Sequence, residues 1–150
     1  MCGIAGFWRN SADQTTDNLK QIVTDMSNTL LHRGPDDRGT WIDPEVGVAF
    51  GHQRLSIIDT SDAGHQPMVS TNGRFVITYN GEVYNFQDLR SELEKMGHSF
   101  RGHSDTEVML ASFQQCGVEV SLKKFNGMFA FALWDRRDRL LILARDRMGE

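Results

Sequence analysis

The chain lacks most of the features that mark nucleic-acid-binding, membrane and secreted proteins. Its net charge of −4 over 150 residues provides no broad positive field for phosphate backbones or anionic lipid. The sequence contains no run of 18 apolar residues, and its start lacks the charged and apolar regions of a signal peptide. Its two cysteines, Cys2 and Cys116, form no disulfide framework of the secreted kind. We therefore expect a cytoplasmic protein that binds neither nucleic acid nor membrane.

Common metal-binding and phosphate-binding motifs are also missing. The five histidines form no HExxH pattern and do not pair with cysteines at metal-site spacing. Neither a GxGxxG string nor a Walker-type loop is present. The remaining composition, 39% hydrophobic and 24% charged, is that of an ordinary folded domain with one core. We expect no metal and no organic cofactor in this chain.

The hydrophobic pattern predicts strands interspersed with helices. Strands are expected over residues 2–8, 40–42, 46–50, 55–58, 74–79, 128–134 and 140–144, with a polar loop over 60–71. One helix is expected to be capped by Asp17 and to end at Gly34-Pro35, with Gly34 at the C′ position. Two more are expected over residues 86–96 and from Ser104 or Asp105 to near Gly117. This order predicts an α+β layered domain with mainly antiparallel sheets covered by helices.

Cys2 is the first candidate catalytic residue. If Met1 is removed, the thiol and a free α-amino group lie on the same residue. A thiol titrates near pH 8.5 and an α-amino group at about 7.7 to 8.0, so the amine can accept the thiol's proton. On position alone, a small apolar residue in a buried strand is the stronger interpretation of Cys2.

A second candidate feature is the pair Asn80-Gly81. An Asn-Gly pair after an apolar strand is a common hairpin signal, and the sequence contains two other such pairs. The longer string Tyr79-Asn-Gly-Glu-Val-Tyr-Asn85 supports another interpretation. A side-chain amide and a backbone N–H from a glycine can stabilise the oxyanion formed when a thiolate attacks an amide.

Two charged residues are candidates for binding an amino acid. Arg54 interrupts an apolar stretch, and its guanidinium matches a carboxylate in two-point geometry, although an ordinary ion pair is an equal alternative. Asp105 lies where a helix begins, so it either caps that helix or binds a substrate ammonium group, with Glu82 as a second contact. Together they could bind both charges of a zwitterion.

These strings together resemble the N-terminal glutaminase domain of glutamine-hydrolysing asparagine synthetases, a group of class II glutamine amidotransferases. The resemblance covers essentially the whole chain, and several ordered motifs are far more specific than any one of them. The motifs are Met1-Cys-Gly-Ile-Ala-Gly6, His32-Arg-Gly-Pro-Asp36, Gly51-His-Gln-Arg-Leu-Ser-Ile-Ile-Asp59, Tyr79-Asn-Gly-Glu-Val-Tyr-Asn85, Ser104-Asp-Thr-Glu107, Asn126-Gly-Met-Phe-Ala-Phe-Ala132 and Arg145-Asp-Arg-Met-Gly149.

The resemblance implies the N-terminal nucleophile hydrolase fold, a four-layer αββα sandwich with two mainly antiparallel sheets. It also implies a role for each candidate residue in the hydrolysis of L-glutamine to glutamate and ammonia through a γ-glutamyl thioester. These roles are Cys2 as nucleophile, Asn80 and Gly81 as oxyanion hole, Arg54 as carboxylate anchor, Asp105 as ammonium contact, and Ile57, Ile58 and Glu82 as the rest of the glutamine pocket.

The same resemblance implies a synthetase domain covalently attached after residue 150, so we expect residues 1–150 to be a C-terminally truncated type-2 amidotransferase domain. ATP and Mg²⁺ are expected only in that synthetase domain, with asparagine made from aspartate as the product. Two alternatives stay open: another acceptor, such as a sugar, polysaccharide or antibiotic precursor, and a catalytically silent glutamine-binding regulatory module. A homodimer also stays open.

Overall fold

The computed structural model describes residues 1–9, 15–57, 59 and 61–149. Its strands are β1 Gly3–Trp8, β2 Asp37–Asp43, β3 Val48–Arg54, β4 Met68–Val69, β5 Phe75–Val83, β6 Gly127–Asp135 and β7 Leu140–Arg145. Its helices are α1 Thr16–Asn28, α2 Phe86–Lys95, α3 Asp105–Cys116 and α4 Val118–Lys124, with short 3-10 turns at Leu31–Arg33 and Asp62–Gly64.

The described strands form two antiparallel sheets that pack face to face. The first sheet has the order β1-β3-β2, and the second has the order β4-β5-β6-β7. Helix α1 packs on the outer face of the first sheet, while α3, packed against α2, contacts β4 and β5 of the second. All seven residues of β3 are buried because α1 covers one of its faces and the second sheet covers the other. The predicted four-layer αββα sandwich is confirmed.

Strand β5 contributes to two apolar clusters because its side chains alternate between its faces. Phe75, Ile77 and Tyr79 join the larger cluster between the second sheet and the helices. Val76 joins the smaller cluster between the sheets, with Trp134 of β6. Complete burial contributes about 1.5–3 kcal/mol for each large apolar side chain. The alternation puts Asn80 on the face that points toward the first sheet.

The predicted ends of the first helix are wrong. Thr15, not Asp17, is the N-cap, and its side chain accepts a hydrogen bond from the N–H of Asn18 at 3.2 Å. The helix ends at Asn28, six residues before Gly34. Gly34 has an extended backbone with φ −161°, so it does not occupy the left-handed C′ position. A side chain there would collide with the backbone of Gln53, which explains the glycine.

The strands predicted over residues 46–50 and 55–58 also need correction. The strand predicted over residues 46–50 is the start of β3, which runs unbroken from Val48 to Arg54. In the strand predicted over residues 55–58, the described residues Leu55 to Ile57 lie outside any strand. Polar residues obscured β3 in the sequence. His52 and Gln53 are buried within it, where His52 Nε2 lies 3.0 Å from the carbonyl oxygen of Tyr79.

The strand predicted over residues 74–79 is too short, because β5 continues past Tyr79 through Asn80 and Gly81. The hairpin interpretation of Asn80-Gly81 is therefore wrong. Strand β4, within the predicted polar loop, and helix α4 were not predicted. Helices α2 and α3 and strands β6 and β7 match their predicted ranges to within one or two residues.

Candidate active site

A cleft opens at the end of the sandwich where β1 begins and β3 ends. Its empty volume is about 640 Å³, including the open mouth. Residues from both sheets and from the start of α3 line it: Met1, Cys2, Arg54, Leu55, Ile57, Asp59, Gly64, Gln66, Tyr79, Asn80, Gly81, Glu82, Ser104, Asp105, Thr106 and Met128. The structure thus brings every described candidate residue into one cleft. The remaining candidate, Ile58, lies outside the described residues.

Cys2 lines this cleft and is half-buried. In the antiparallel pairing of β1 with β3, Gly3 lies opposite Gln53. Cys2, one residue before Gly3, therefore lies beside the segment that follows Gln53, which contains Leu55. The N–H of Leu55 donates to the sulfur at 3.3 Å, and the carbonyl oxygen of Leu55 lies 3.6 Å from it. Leu55 thus offers the sulfur both a main-chain donor and a main-chain acceptor.

Asn80 and Gly81 face the cleft from within β5. The side-chain oxygen of Asn80 is buried and has no hydrogen-bond partner among the residues that the structure describes. Gly81 has φ +149°, which favours glycine, and a Cβ there would lie 2.2 Å from the carbonyl oxygen of Met128. The neighbouring strand β6 therefore leaves room for no side chain at position 81, and the backbone of β5 lines the cleft there.

Arg54 is buried at the end of β3, and the loop that follows surrounds its guanidinium group. Nη1 donates to the carbonyl oxygen of Ser61 at 2.9 Å, and Nη2 donates to the carbonyl oxygen of Asp59. Nη1 also lies 3.9 Å from a carboxylate oxygen of Asp37, at the edge of ion-pair distance. An ordinary ion pair thus describes only part of the surroundings of Arg54, because two backbone carbonyl oxygens also hold its guanidinium group. A carbonyl group carries no net charge, so these two contacts do not neutralise the guanidinium.

Asp105 does not cap the helix that it begins. Ser104 is the N-cap of α3, with its hydroxyl accepting from the N–H of Glu107 at 3.3 Å. One carboxylate oxygen of Asp105 instead accepts from the hydroxyl of Tyr79 at 2.5 Å and from the N–H of Val83 at 2.9 Å. Burial raises the pKa of Asp105 despite these bonds. A buried carboxylate of this kind is stabilised by a cation that enters the cleft.

Glu82 and Ile57 complete the described candidates. Glu82 is half-buried in β5, and its negative charge adds to the rise in the pKa of Asp105. The side chain of Ile57 is 70% exposed although it lines the cleft. The cleft therefore has a positive group at one place, Arg54, and two carboxylates, Asp105 and Glu82, at another.

Sequence reasoning missed several residues that build this cleft, notably Tyr79, Gln66 and Asp59. Tyr79 binds Asp105 through its hydroxyl, and its N–H donates to the side-chain oxygen of Gln66 at 2.8 Å. Tyr79 belongs to a quoted motif, and the period of two along β5 could have assigned it to the helix-facing side. Gln66 carries no comparable signal, since it lies in the segment predicted as a polar loop.

Two properties of the described residues bear on cofactors and membranes. Within residues 1–9, 15–57, 59 and 61–149, no group of three or more His, Cys, Asp or Glu side chains could hold a metal ion. Over the same ranges, the helices are too short or too polar to cross a lipid bilayer.

Comparisons with known proteins identify the family to which this chain belongs. The family model of the glutamine amidotransferase domain matches residues 1–150. Asparagine synthetase (glutamine-hydrolyzing) 3 of Bacillus subtilis (strain 168) is 46% identical over 151 residues, covering 99% of this chain and 24% of that protein. Asparagine synthetase (glutamine-hydrolyzing) 1 of the same organism is 40% identical over 149 residues, covering 99% and 23% respectively.

A solved structure agrees. Glutamine phosphoribosylpyrophosphate amidotransferase from B. subtilis, complexed with ADP and GMP, matches with a TM-score of 0.58 and 28% identity over 69% of this chain and 24% of that one. This chain therefore belongs to the glutamine amidotransferase domain family, and its resemblance to the asparagine synthetase group is confirmed. It spans about a quarter of the length of the curated relatives described above.

Proposed function

We propose that this chain hydrolyses L-glutamine to glutamate and ammonia, with Cys2 as the nucleophile. The observation that carries the proposal is the content of one cleft: a thiol, a carboxamide beside a glycine backbone, a guanidinium and a buried carboxylate. Each corresponds to one requirement of amide hydrolysis on an amino-acid side chain.

The nucleophile is activated once Met1 is removed. The new α-amino group of Cys2 then accepts the thiol proton, directly or through one water, because the two groups have similar pKa values in water. The N–H of Leu55, 3.3 Å from the sulfur, donates a hydrogen bond that helps to hold it in the cleft. If Met1 is retained, the amine is part of an amide and cannot act as a base, so the chain would bind glutamine without turnover.

Asn80 and Gly81 form the oxyanion hole in this proposal. Attack of the sulfur on the side-chain carbonyl of glutamine converts its oxygen into an oxyanion, which needs donors about 2.7 to 3.1 Å away. The donor that Asn80 contributes is its side-chain NH₂ group, whereas its carboxamide oxygen is an acceptor, buried and without a partner among the described residues. The fixed backbone at Gly81 can supply the second donor, because β6 prevents that segment from moving outward.

The charged ends of glutamine define how it binds. Arg54 pairs with the α-carboxylate in two-point geometry, and Asp105 pairs with the α-ammonium, with Glu82 as a second contact. The backbone at Ile57 and Ile58 completes the pocket. The raised pKa of Asp105 supports this assignment, since a buried carboxylate without a cation is unfavourable and a bound ammonium relieves that cost.

Hydrolysis proceeds in two stages. The sulfur of Cys2 bonds to the side-chain carbonyl carbon, the tetrahedral intermediate collapses, and ammonia leaves with a proton from the α-ammonium group of Cys2. Water then attacks the γ-glutamyl thioester, which releases glutamate and restores the thiol. The chain's own residues supply every group that these two stages require.

We further propose that the ammonia passes to an ATP-dependent synthetase domain of the same protein, most simply for making asparagine from aspartate. The names of the relatives and their greater length support this destination. ATP and Mg²⁺ would bind in that domain. Both cysteines are free thiols, which supports a reducing, cytoplasmic location.

An ammonia assay with glutamine tests the hydrolysis proposal. The complete protein that carries this chain is compared with its Cys2→Ala variant, and Cys116→Ala is the matched control because it removes the other thiol. Ammonia release should be lost in the Cys2→Ala variant and retained in the Cys116→Ala variant. Continued turnover without Cys2 would assign the nucleophile elsewhere.

A further inference from the structure

Asp59 has no role in the chemistry described above, yet it connects the two charged parts of the cleft. It is buried, with 7% of its surface exposed, and it lies in the loop between β3 and the 3-10 turn Asp62–Gly64. Its carboxylate accepts three hydrogen bonds from two separate segments of the chain. One segment holds Arg54, and the other precedes Asp105.

The first carboxylate oxygen shapes the loop around Arg54. Oδ1 accepts from the N–H of Ser61 at 2.8 Å and from its hydroxyl at 2.6 Å. These bonds fold the loop back so that the carbonyl oxygens of Asp59 and Ser61 both accept from the guanidinium. Arg54 donates a hydrogen bond to the backbone carbonyl of Asp59 and none to its carboxylate, which acts on the guanidinium only through its nearby negative charge.

The second carboxylate oxygen reaches the start of α3. Oδ2 accepts from the N–H of His103 at 2.7 Å, two residues before Asp105. Gly102 permits this contact, because a Cβ at that position would lie 2.6 Å from Oδ2. The carboxylate of Glu107 fixes the same turn from the helix side by accepting from the N–H groups of Arg101 at 2.9 Å and Gly102 at 3.0 Å. The turn is therefore held from both sides.

The charge of Asp59 is maintained by its partners. Burial alone would raise its pKa, but hydrogen bonds from Ser61 and His103, together with the nearby positive charge of Arg54, lower it below the ordinary aspartate value. The group is thus ionised near neutral pH and accepts from all three donors at once.

We propose that Asp59 is a positioning residue that fixes the separation between Arg54 and Asp105, so that one zwitterionic amino acid can contact both. The inference rests on the proposed function, because it assumes that glutamine binds through these two groups. A zwitterion with both charges on one carbon tolerates little change in the distance between its partners. The short link Arg54–loop–Asp59–His103–Asp105 sets that distance.

Asp59→Asn is the direct test. The amide has one acceptor oxygen, so it can serve Ser61 or His103 but not both, and the other donor then faces an NH₂ group. Asp62→Asn is the matched control, because Asp62 is exposed in the same loop and does not line the cleft. Glutamine affinity is measured by calorimetry on the complete protein in a Cys2→Ala background, where turnover does not interfere.

The expected result is a pattern across a double-mutant cycle. Asp59→Asn should raise the Kd for glutamine by about tenfold, as leaving one buried donor unpaired implies, and Asp62→Asn should leave it unchanged. With Asp105→Asn already present, the separation no longer matters, so the effect of Asp59→Asn should fall below about threefold. A residue that only stabilises the loop would lower affinity by the same factor in both backgrounds.

Gly102→Ala provides a second perturbation if Asp59→Asn does not fold. It keeps every carboxylate and introduces a Cβ 2.6 Å from both Asp59 Oδ2 and Ala63 Cβ, which displaces the loop that carries Asp59, so it should weaken glutamine binding with the same dependence on Asp105. Unchanged affinity, or an equal loss in both backgrounds, would overturn the role of Asp59 and leave the proposed function intact. Absence of glutamine binding in the Cys2→Ala reference, with no ammonia release by the unmodified protein, would overturn the proposed function and this inference together.

Discussion

Replacing Asp105 with Asn removes one charge from the cleft while keeping the shape of the side chain. A single oxygen of Asp105 accepts both of its hydrogen bonds from strand β5, from the Tyr79 hydroxyl and the Val83 N–H. The amide oxygen of Asn can accept both in the same place. The substitution therefore separates the charge of Asp105 from its part in the fold.

The expected loss of affinity follows from the burial of this group, which is 4% exposed. Pairing between a buried carboxylate and a bound ammonium should contribute about 2 kcal/mol or more, which raises the Kd for glutamine roughly 30-fold in the variant. The stability of the folded variant should not fall together with its affinity for glutamine. Because the pKa of Asp105 is raised in the folded state, its ionisation costs stability as pH rises through that pKa. At neutral pH the variant should thus unfold at the same or a higher temperature.

Calorimetric titration with glutamine in a Cys2→Ala background measures the affinity, and thermal unfolding at pH 7 measures stability. Asp62→Asn, an exposed carboxylate in the neighbouring loop, controls for the loss of one negative charge. Unchanged glutamine affinity in the Asp105→Asn variant would refute the assignment of the ammonium to this residue. A fall in unfolding temperature comparable to loss of a buried hydrogen bond would refute the claim that the charge is dispensable for the fold.

Three further predictions address the same cleft. Glutamine affinity should fall as pH decreases through the raised pKa of Asp105, because protonation removes the charge that pairs with the ammonium. Titrations with glutamine over a pH series should show that this pH dependence is lost in the Asp105→Asn variant. Asn80→Ala should lower kcat for ammonia release by about 100-fold or more. Glutamine affinity and the unfolding temperature should stay nearly unchanged, because the carboxamide oxygen has no partner to lose among the described residues. An equal loss in affinity would contradict the role of Asn80 in the oxyanion hole. Gly81→Ala should destabilise the fold by about 1–3 kcal/mol in chemical unfolding, because the new Cβ would lie 2.2 Å from the Met128 carbonyl oxygen, and an unaffected midpoint would contradict that packing.

The elements that the sequence predicted well are those with strong local signals. Helix α3 begins at a Ser-Asp pair and ends beside Gly117, whose φ is +79°. Strands β6 and β7 are apolar except for their last residues, Asp135 and Arg145, and are separated by a charged turn. In each case the residues that decide the structure are neighbours in the sequence, so pattern and propensity agree with the fold.

The errors arose where distant contacts override local signals. Asn80-Gly81 has the chemistry of a hairpin, yet pairing with nine residues of β6 keeps the pair in an extended strand. His52 and Gln53 look like loop residues, but they are buried in β3, where His52 Nε2 contacts the carbonyl oxygen of Tyr79 and Gln53 Nε2 donates to the hydroxyl of Ser27. Neither partner is close in sequence, so a local window could not reveal either contact.

The candidate residues of the cleft were predicted more completely than the groups that hold them. Cys2, Arg54, Asn80 and Asp105 each have distinctive chemistry within a quoted motif, and the structure places all four around one cleft. Their supports could not be predicted, because they depend on contacts such as the one between Asp59 and the N–H of His103, 44 residues away. Asp59 closes a quoted motif, but nothing in that string indicates that its carboxylate accepts backbone hydrogen bonds.

The central claim is that the sulfur of Cys2, with its own free amine, attacks the side chain of glutamine. The most direct measurement is intact mass after mixing with glutamine and quenching in acid, followed by peptide mapping. The proposed chemistry predicts one glutamyl group on Cys2, found only in molecules that have lost Met1. A glutamyl group on Cys116, or full turnover by molecules that retain Met1, would contradict it.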